Sequence, residues 1–108
     1  MNKELIVTTM NDIPGKKVKK IIGVVRGNTV RSRNIGRDIM AGFKSVVGGE
    51  IKTFTELINQ SRDEAYNRMV NNAIQLGADG IIAMRFNASS IMHNSAEILA
   101  YGTAVKFE

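Results

Sequence analysis

The fold class follows from residues 96–107, which read AEILAYGTAVKF. An apolar run of this length is typical of a strand, in which side chains two positions apart share a face. One face carries Ala96, Ile98, Ala100 and Ala104, and the other carries Leu99, Tyr101, Val105 and Phe107. Both faces are apolar, so each needs a cover. We expect helices on one side and a second subunit on the other; an early strand or helix of the same chain is the alternative cover.

A strand and a long helix precede this stretch. Gly80–Ala88 is predicted to be the strand that pairs with it. Residues 53–56, TFTE, match a capping box, which predicts that a helix begins at Thr53. Gly77 is predicted to end that helix in the left-handed conformation. The apolar stripe of this helix consists of Phe54, Leu57, Ile58, Ser61, Ala65, Met69, Val70, Ala73 and Ile74.

The N-terminal half predicts two further strands and a second helix. Leu5–Thr9 and Lys16–Arg26 read as strands. Gly27 and Asn28 then indicate a tight turn that leads into a returning strand, Thr29–Arg31; a bulge in one long strand is the alternative. Residues 35–47 have helical spacing. Together these elements predict a two-layer α+β domain over residues 1–108, with an antiparallel sheet and two helices on one of its faces.

The composition indicates a small globular protein of a reducing compartment. The chain has 108 residues, enough for one domain, and no cysteine, which excludes disulfides, thiolate metal sites and cysteine nucleophiles. The apolar stretch after the first residues is too short for a signal peptide. The uncharged run Ile98–Val105 is far shorter than the roughly 18 apolar residues that a spanning helix needs. We expect a cytoplasmic protein.

The charge is concentrated in the first half of the chain. Residues 1–49 hold ten Lys or Arg and three acids, whereas residues 50–108 hold five bases and seven acids. A basic half can contact nucleic acid or another polyanion. The alternative is a solvated strand edge, since lysines at a sheet edge discourage aggregation. Further along, Glu64 and Arg68 stand at the spacing of a helical ion pair.

Several motifs in this order resemble the YbjQ family of small bacterial proteins, commonly called "putative heavy-metal-binding" proteins. They are Ile22–Gly27, Asn34, Arg37–Asp38, Val47–Gly49, Gly77–Ile82, Arg85–Phe86 and Glu97–Val105. The resemblance implies a dodecin-like β-α-α-β-β subunit that assembles into a ring-shaped homopentamer. Two positions depart from the family pattern: Glu50 replaces a usual arginine, and Gly80 a usual alanine. The resemblance brings no established catalytic residues, and it leaves any cofactor unknown.

The residue inventory argues against a conventional heavy-metal site. Soft metals prefer thiolates, and a structural zinc site needs a full set of Cys, His, Asp or Glu ligands. This chain has no cysteine and one histidine, His93. Met92 and His93 are adjacent, so on a strand they point to opposite faces. A ring could bring copies of His93 together, which leaves a symmetry-shared site as the one route to metal binding.

No enzyme signature is present. No serine lies in a Gly-x-Ser-x-Gly elbow, and neither glycine pair belongs to a phosphate-binding loop. Arg26, together with Arg31, Arg33 and Arg37, forms a basic cluster near a predicted helix start, where an anion can bind. The alternative is pairing between subunits, for instance of Arg37 with Asp38 or Glu50 of a neighbour. We therefore predict a non-enzymatic oligomeric binding or scaffold module, with polyanion binding or symmetry-shared metal binding as the alternatives.

Overall fold

The structure is a computed structural model that describes residues 4–32, 49–92 and 95–108. Within these ranges the chain forms four strands and one long helix. Their bounds are β1 Ile6–Val7, β2 Val18–Ser32, α1 Gly49–Gln75, β3 Gly80–Met92 and β4 Ser95–Phe107. The two C-terminal strands confirm the sequence prediction. The helix predicted over residues 35–47 lies outside the described residues.

The strands form one mixed sheet in the order β1-β3-β4-β2. β3 and β2 are both antiparallel to the central strand β4, but β1 is parallel to β3. The prediction of a wholly antiparallel sheet is therefore wrong at β1. The physical reason is topological: β1 and β2 lie at opposite edges, so the chain continues along β3 as far as Met10 and residues 11–17 then pass to the other edge instead of forming a hairpin turn.

β2 is one continuous strand of 15 residues, and the tight turn predicted at Gly27 is wrong. Gly27 is buried where α1 crosses the strand: a Cβ atom there would overlap the Ala65 carbonyl oxygen and the Met69 amide nitrogen, and would lie 2.6 Å from Arg68 Cβ. This glycine is needed for close approach. The alternative of one long bulged strand is correct, but the two register shifts lie between Val18 and Lys20 and between Ile21 and Gly23, not at Gly27. The φ angle of Gly23 is +148°.

The structure confirms the predicted end of α1 at Gly77, but the predicted start at Thr53 is wrong. Gly77 has φ of +77°, its N–H donates to the Ile74 carbonyl at 3.0 Å, and the Ala78 N–H donates to the Ala73 carbonyl at 3.0 Å. These two bonds form a Schellman motif. The helix begins at Gly49, four residues before Thr53. Residues 50–52 contain no helix breaker, and a cap contributes only about 1 kcal/mol, too little to prevent the helix from extending.

The core lies between α1 and the two strands that it covers. Side chains four residues apart on α1 are fully buried on the helix face that packs against Val25 of β2 and against Ala100 and Ala104 of β4. They are Ser61, Ala65, Met69 and Ala73. Ile58 and Ile74, which were predicted to belong to the same stripe, are about half exposed. The packed face is narrower than predicted because the strand approaches the helix backbone at Gly27.

We predict that Gly27→Ala lowers the free energy of unfolding by about 1–3 kcal/mol, because the added methyl group must push α1 away from β2. Urea unfolding followed by circular dichroism measures the change. Lys19→Ala, at an exposed position of the same strand, is the control and should change stability by less than about 0.5 kcal/mol. An equal effect of both substitutions would contradict the close approach at Gly27.

Candidate assembly surface

One face of the sheet is not covered by α1, and we call it the open face. The register places alternate residues of β2 opposite alternate residues of β4 on this side. They are Val24, Arg26, Asn28 and Val30 on β2, and Glu97, Leu99, Tyr101 and Thr103 on β4. Val24 is 73% exposed, Val30 50% and Tyr101 37%. Two β-branched apolar side chains thus lie in solvent at the middle and the end of the longest strand.

A shallow pocket of about 340 Å³ lies on the open face and is lined by Arg26, Asn28, Glu97 and Leu99. The Asn28 side-chain amide donates to a Glu97 carboxylate oxygen at 3.0 Å across the two strands. Arg26 lies beside Tyr101 and is exposed, with no carboxylate of the described residues at ion-pair distance. The pocket therefore carries a cation, a carboxylate and an amide, with Leu99 as its apolar side chain.

Arg85 is the register partner of Tyr101 on β3, but its guanidinium is already hydrogen-bonded to backbone carbonyl groups. Its guanidinium donates to the carbonyl oxygens of Thr9 at 2.7 Å and Met84 at 2.8 Å. These bonds hold its charged end at the sheet edge, next to the segment that follows β1. Arg26 is consequently the cation that the open face offers to a partner.

The outer edge of β2 is protected by side chains of α1. The Arg26 N–H donates to the Asn72 side-chain oxygen at 3.3 Å, and Arg68 Nη1 donates to the Asn28 carbonyl at 2.5 Å. Backbone groups at a sheet edge otherwise remain free to pair with another chain. Because Arg68 is used here, it does not form the predicted pair with Glu64, which contacts Arg31 instead.

Of the predicted site residues, the structure describes Arg26, which lies on the open face, and Arg31. Arg31 lies on the side of the sheet that faces α1, and its guanidinium forms an ion pair with Glu64 and a 3.3 Å bond to the Val30 carbonyl. Part of its charge is thus neutralised within the chain, while its role toward an anion or a neighbouring subunit stays a prediction. Four other candidates lie outside the described residues: Arg33, Arg37, Asp38 and His93.

Sequence reasoning missed the open face of β2 although the signal was present. If β2 is taken as continuous, strict alternation places Val24, Arg26, Asn28 and Val30 on one face. The turn predicted at Gly27 broke that alternation and separated Val24 from Val30. The contacts of Arg68 and Asn72 had no local signal, because both residues reach a strand about 40 positions earlier in the chain.

A second pocket, of about 360 Å³, lies at the end of the sheet and is lined by Glu4, Ile6, Lys16, Asp79, Phe107 and Glu108. It contains three acids, but Asp79 accepts the Phe107 N–H at 2.9 Å and thereby joins the α1–β3 connection to β4. Across the part of the chain that the structure describes, no three His, Cys, Asp or Glu residues come together as a metal site. The described donor set does not fit a heavy metal.

The described residues include no helix that is both long and apolar enough to cross a bilayer.

The fold and the open face define a class: a small α+β module whose single described helix leaves one side of a mixed sheet uncovered. The chain belongs to the YbjQ family, whose model, described as "Putative heavy-metal-binding", matches residues 5–108. The family resemblance inferred from the sequence is thereby confirmed. The family description names a ligand class and no reaction.

Relatives of nearly the same length support this membership. A UPF0145 protein of Shewanella frigidimarina is 56% identical over 102 residues, which cover 94% of this chain and 95% of the relative. A UPF0145 protein of Archaeoglobus fulgidus is 51% identical over 106 residues, covering 98% of each chain. A crystal structure of a protein with unknown function from Pediococcus pentosaceus matches with a TM-score of 0.64 at 19% identity, over 96% of this chain and 98% of that chain, and supports the fold alone.

We predict that no sub-micromolar Zn²⁺ or Cu⁺ site forms within one subunit, since the described residues bring no three metal donors together. Isothermal titration of the metal-free protein measures this, with His93→Ala as the matched variant. We expect the unsubstituted protein and His93→Ala to give the same isotherm, with no sub-micromolar binding in either. A sub-micromolar site that His93→Ala abolishes would contradict the prediction and identify a site shared between subunits.

Proposed function

We propose that this protein is a non-enzymatic module that assembles with copies of itself, with the open face as a contact surface. The observation that carries the proposal is the exposure of Val24 and Val30 on the face opposite α1. Burying each of these side chains contributes about 1–2 kcal/mol, so a partner that covers the open face gains stability.

The surface of the subunit offers two different apolar regions, which favours assembly beyond a symmetric pair. The open face is one region. Phe86, 44% exposed, belongs to the other, because its register partner Ala100 lies on the side that faces α1. A ring needs two unlike patches that fit each other, whereas a two-fold pair uses one patch twice. These regions support the ring that the family resemblance implies, for which five subunits are expected.

The pocket chemistry also suits a protein neighbour. Arg26 and Glu97 carry opposite charges within one pocket, and Leu99, on the same strand as Glu97, adds an apolar side chain to its lining. Such a mixture is typical of interfaces in which polar groups fix the register of an apolar contact. On this mixture of charged and apolar side chains we assign the face to recognition.

The test is Val24→Glu, which places a carboxylate on the open face. We expect the mass found by sedimentation velocity at micromolar concentration to fall from that of an oligomer toward that of a single chain, since a buried unpaired charge is costly. Circular dichroism should stay unchanged, because Val24 is 73% exposed in the subunit.

Ile74→Glu is the matched control, since Ile74 is 53% exposed on α1 and lies away from the open face. It should leave the assembled mass unchanged. A wild-type protein that sediments as a stable monomer would refute self-assembly. Assembly that survives Val24→Glu would refute the open face as the contact.

A second candidate function is binding of a polyanion, and it rests on Arg26. This arginine has no carboxylate partner among the described residues and stands beside Tyr101 in a chain of formal net charge +5. A guanidinium beside an exposed aromatic ring suits a phosphate backbone with stacked bases. This candidate needs the open face uncovered and is therefore an alternative to the subunit contact proposed above.

Fluorescence anisotropy with labelled single-stranded RNA and DNA, from low to physiological salt, tests this second candidate. We expect Arg26→Gln to weaken binding and to reduce the slope of log affinity against log salt by about one per contacting subunit. Arg62→Gln, an exposed arginine on α1, is the control. A flat salt response of the wild-type protein would exclude polyanion binding.

A further inference from the structure

The two long edges of the sheet differ in how their backbone groups are used. On β2, two outward-pointing backbone groups are hydrogen-bonded to side chains of α1. The Arg26 N–H donates to Asn72, and the Asn28 carbonyl accepts from Arg68. On β3, the segment from β1 onward bonds the edge only as far as Met84, whose N–H donates to the Thr8 carbonyl at 3.0 Å. From Phe86 to Met92 no described segment pairs with the outer side of β3.

The ladder geometry identifies which groups point outward on β3. The Arg26 N–H points away from β4, because Asn72 accepts it. In an antiparallel ladder these groups alternate in direction, so Tyr101, the partner of Arg26, directs its groups toward β3 and bonds Arg85. Because the groups of Arg85 point toward β4, those of Phe86, Ala88 and Ser90 point away from β4, toward the outer side of the sheet.

The chemistry of this edge is that of a pairing strand. Residues 86–92 read FNASSIM, with no charged residue and no proline. Strand edges that avoid pairing usually carry lysine, proline or a bulge. β2 follows that rule, with Lys19 and Lys20 near its start and a register shift beside Gly23. β3 also has register shifts, between Ile82 and Arg85 and between Ser90 and Met92, but its outer edge from Phe86 to Ser90 lies between them and carries no lysine and no proline.

We propose that the outer edge of β3, from Phe86 to Ser90, pairs backbone to backbone with an extended strand of a second copy of this chain. The inference rests on the proposed self-assembly and names the edge through which it occurs. The edge borders both the open face and exposed Phe86, so pairing there is continuous with the contact surface already described. Pairing along a strand edge alone buries less surface than the roughly 800 Å² per partner of a typical interface. The neighbouring faces of the sheet supply the remaining contact area.

Charge selects this edge over β2 for contact between copies. Each copy carries a formal net charge of +5, and Lys19, Lys20, Arg26 and Arg31 all lie on β2. Pairing of two β2 edges would bring like charges close together, which is destabilising. The uncharged edge of β3 lets a second copy approach without that repulsion.

The test is Ala88→Pro compared with Ala88→Val. Proline removes an outward N–H while the ladder to β4 stays intact, and valine has similar bulk but keeps the N–H. We expect Ala88→Pro to raise the apparent dissociation constant of the assembly by about tenfold or more, since it removes one interchain hydrogen bond and crowds the approaching strand. Ala88→Val should assemble like the wild type. Sedimentation velocity over a concentration series measures both.

Hydrogen exchange of the unsubstituted protein gives a second readout in case the proline variant does not fold. We expect the amides of Ala88 and Ser90 to become protected at concentrations where the protein assembles, and to exchange freely in the dilute single chain. Protection at every concentration would show that the chain covers its own edge and would overturn the proposal. So would an Ala88→Pro variant that assembles normally.

These outcomes separate the edge from the wider proposal. If Val24→Glu dissociates the oligomer and Ala88→Pro does not, self-assembly through the open face stands and the β3 edge is refuted. If the unsubstituted protein is a stable monomer, the proposed function fails as well.

Discussion

The close approach of α1 to β2 at Gly27 is the constraint on which the rest of the structure depends. Without a side chain at this position, the backbone of the helix near Ala65 and Met69 lies almost directly on the strand. The separation is small enough for Arg68 and Asn72 to reach past the strand and bond its outer edge. The absence of a side chain at Gly27 thus sets the distance between α1 and β2, and it brings the polar side chains of α1 within hydrogen-bonding reach of the strand.

This packing makes the subunit asymmetric in both its faces and its edges. α1 covers one side of β2 and β4 and leaves Val24, Val30 and Tyr101 exposed on the opposite side of the same strands. It also protects the edge of β2, whereas the distal edge of β3 receives no partner from the described residues. A surface of this kind presents an apolar face next to an uncharged strand edge, which is the combination that β-sheet assemblies use.

Local signals predicted those parts of the fold that depend on neighbouring residues. The Schellman end at Gly77 and the antiparallel pair β3–β4 follow from short stretches of sequence, and the structure confirms both. The start of α1 and the path of β2 were predicted wrongly, because the signals at Thr53 and Gly27 are equally compatible with another structure. Glu64 and Arg68 had the spacing of a helical pair, yet both contact β2, where tertiary partners replace a local bond worth only a few tenths of a kcal/mol.

The sequence by itself determined the family, the α+β class and the apolar character of both faces of β4, because periodicity and motif order are local properties. Only the tertiary structure decided which face α1 covers, that β1 joins the sheet in parallel, and that Arg26 rather than Arg31 is the cation left without a carboxylate partner among the described residues. These outcomes depend on which distant residues meet across the strand at Gly27. Alternation in one segment does not encode the partner that a side chain finds some 40 positions away.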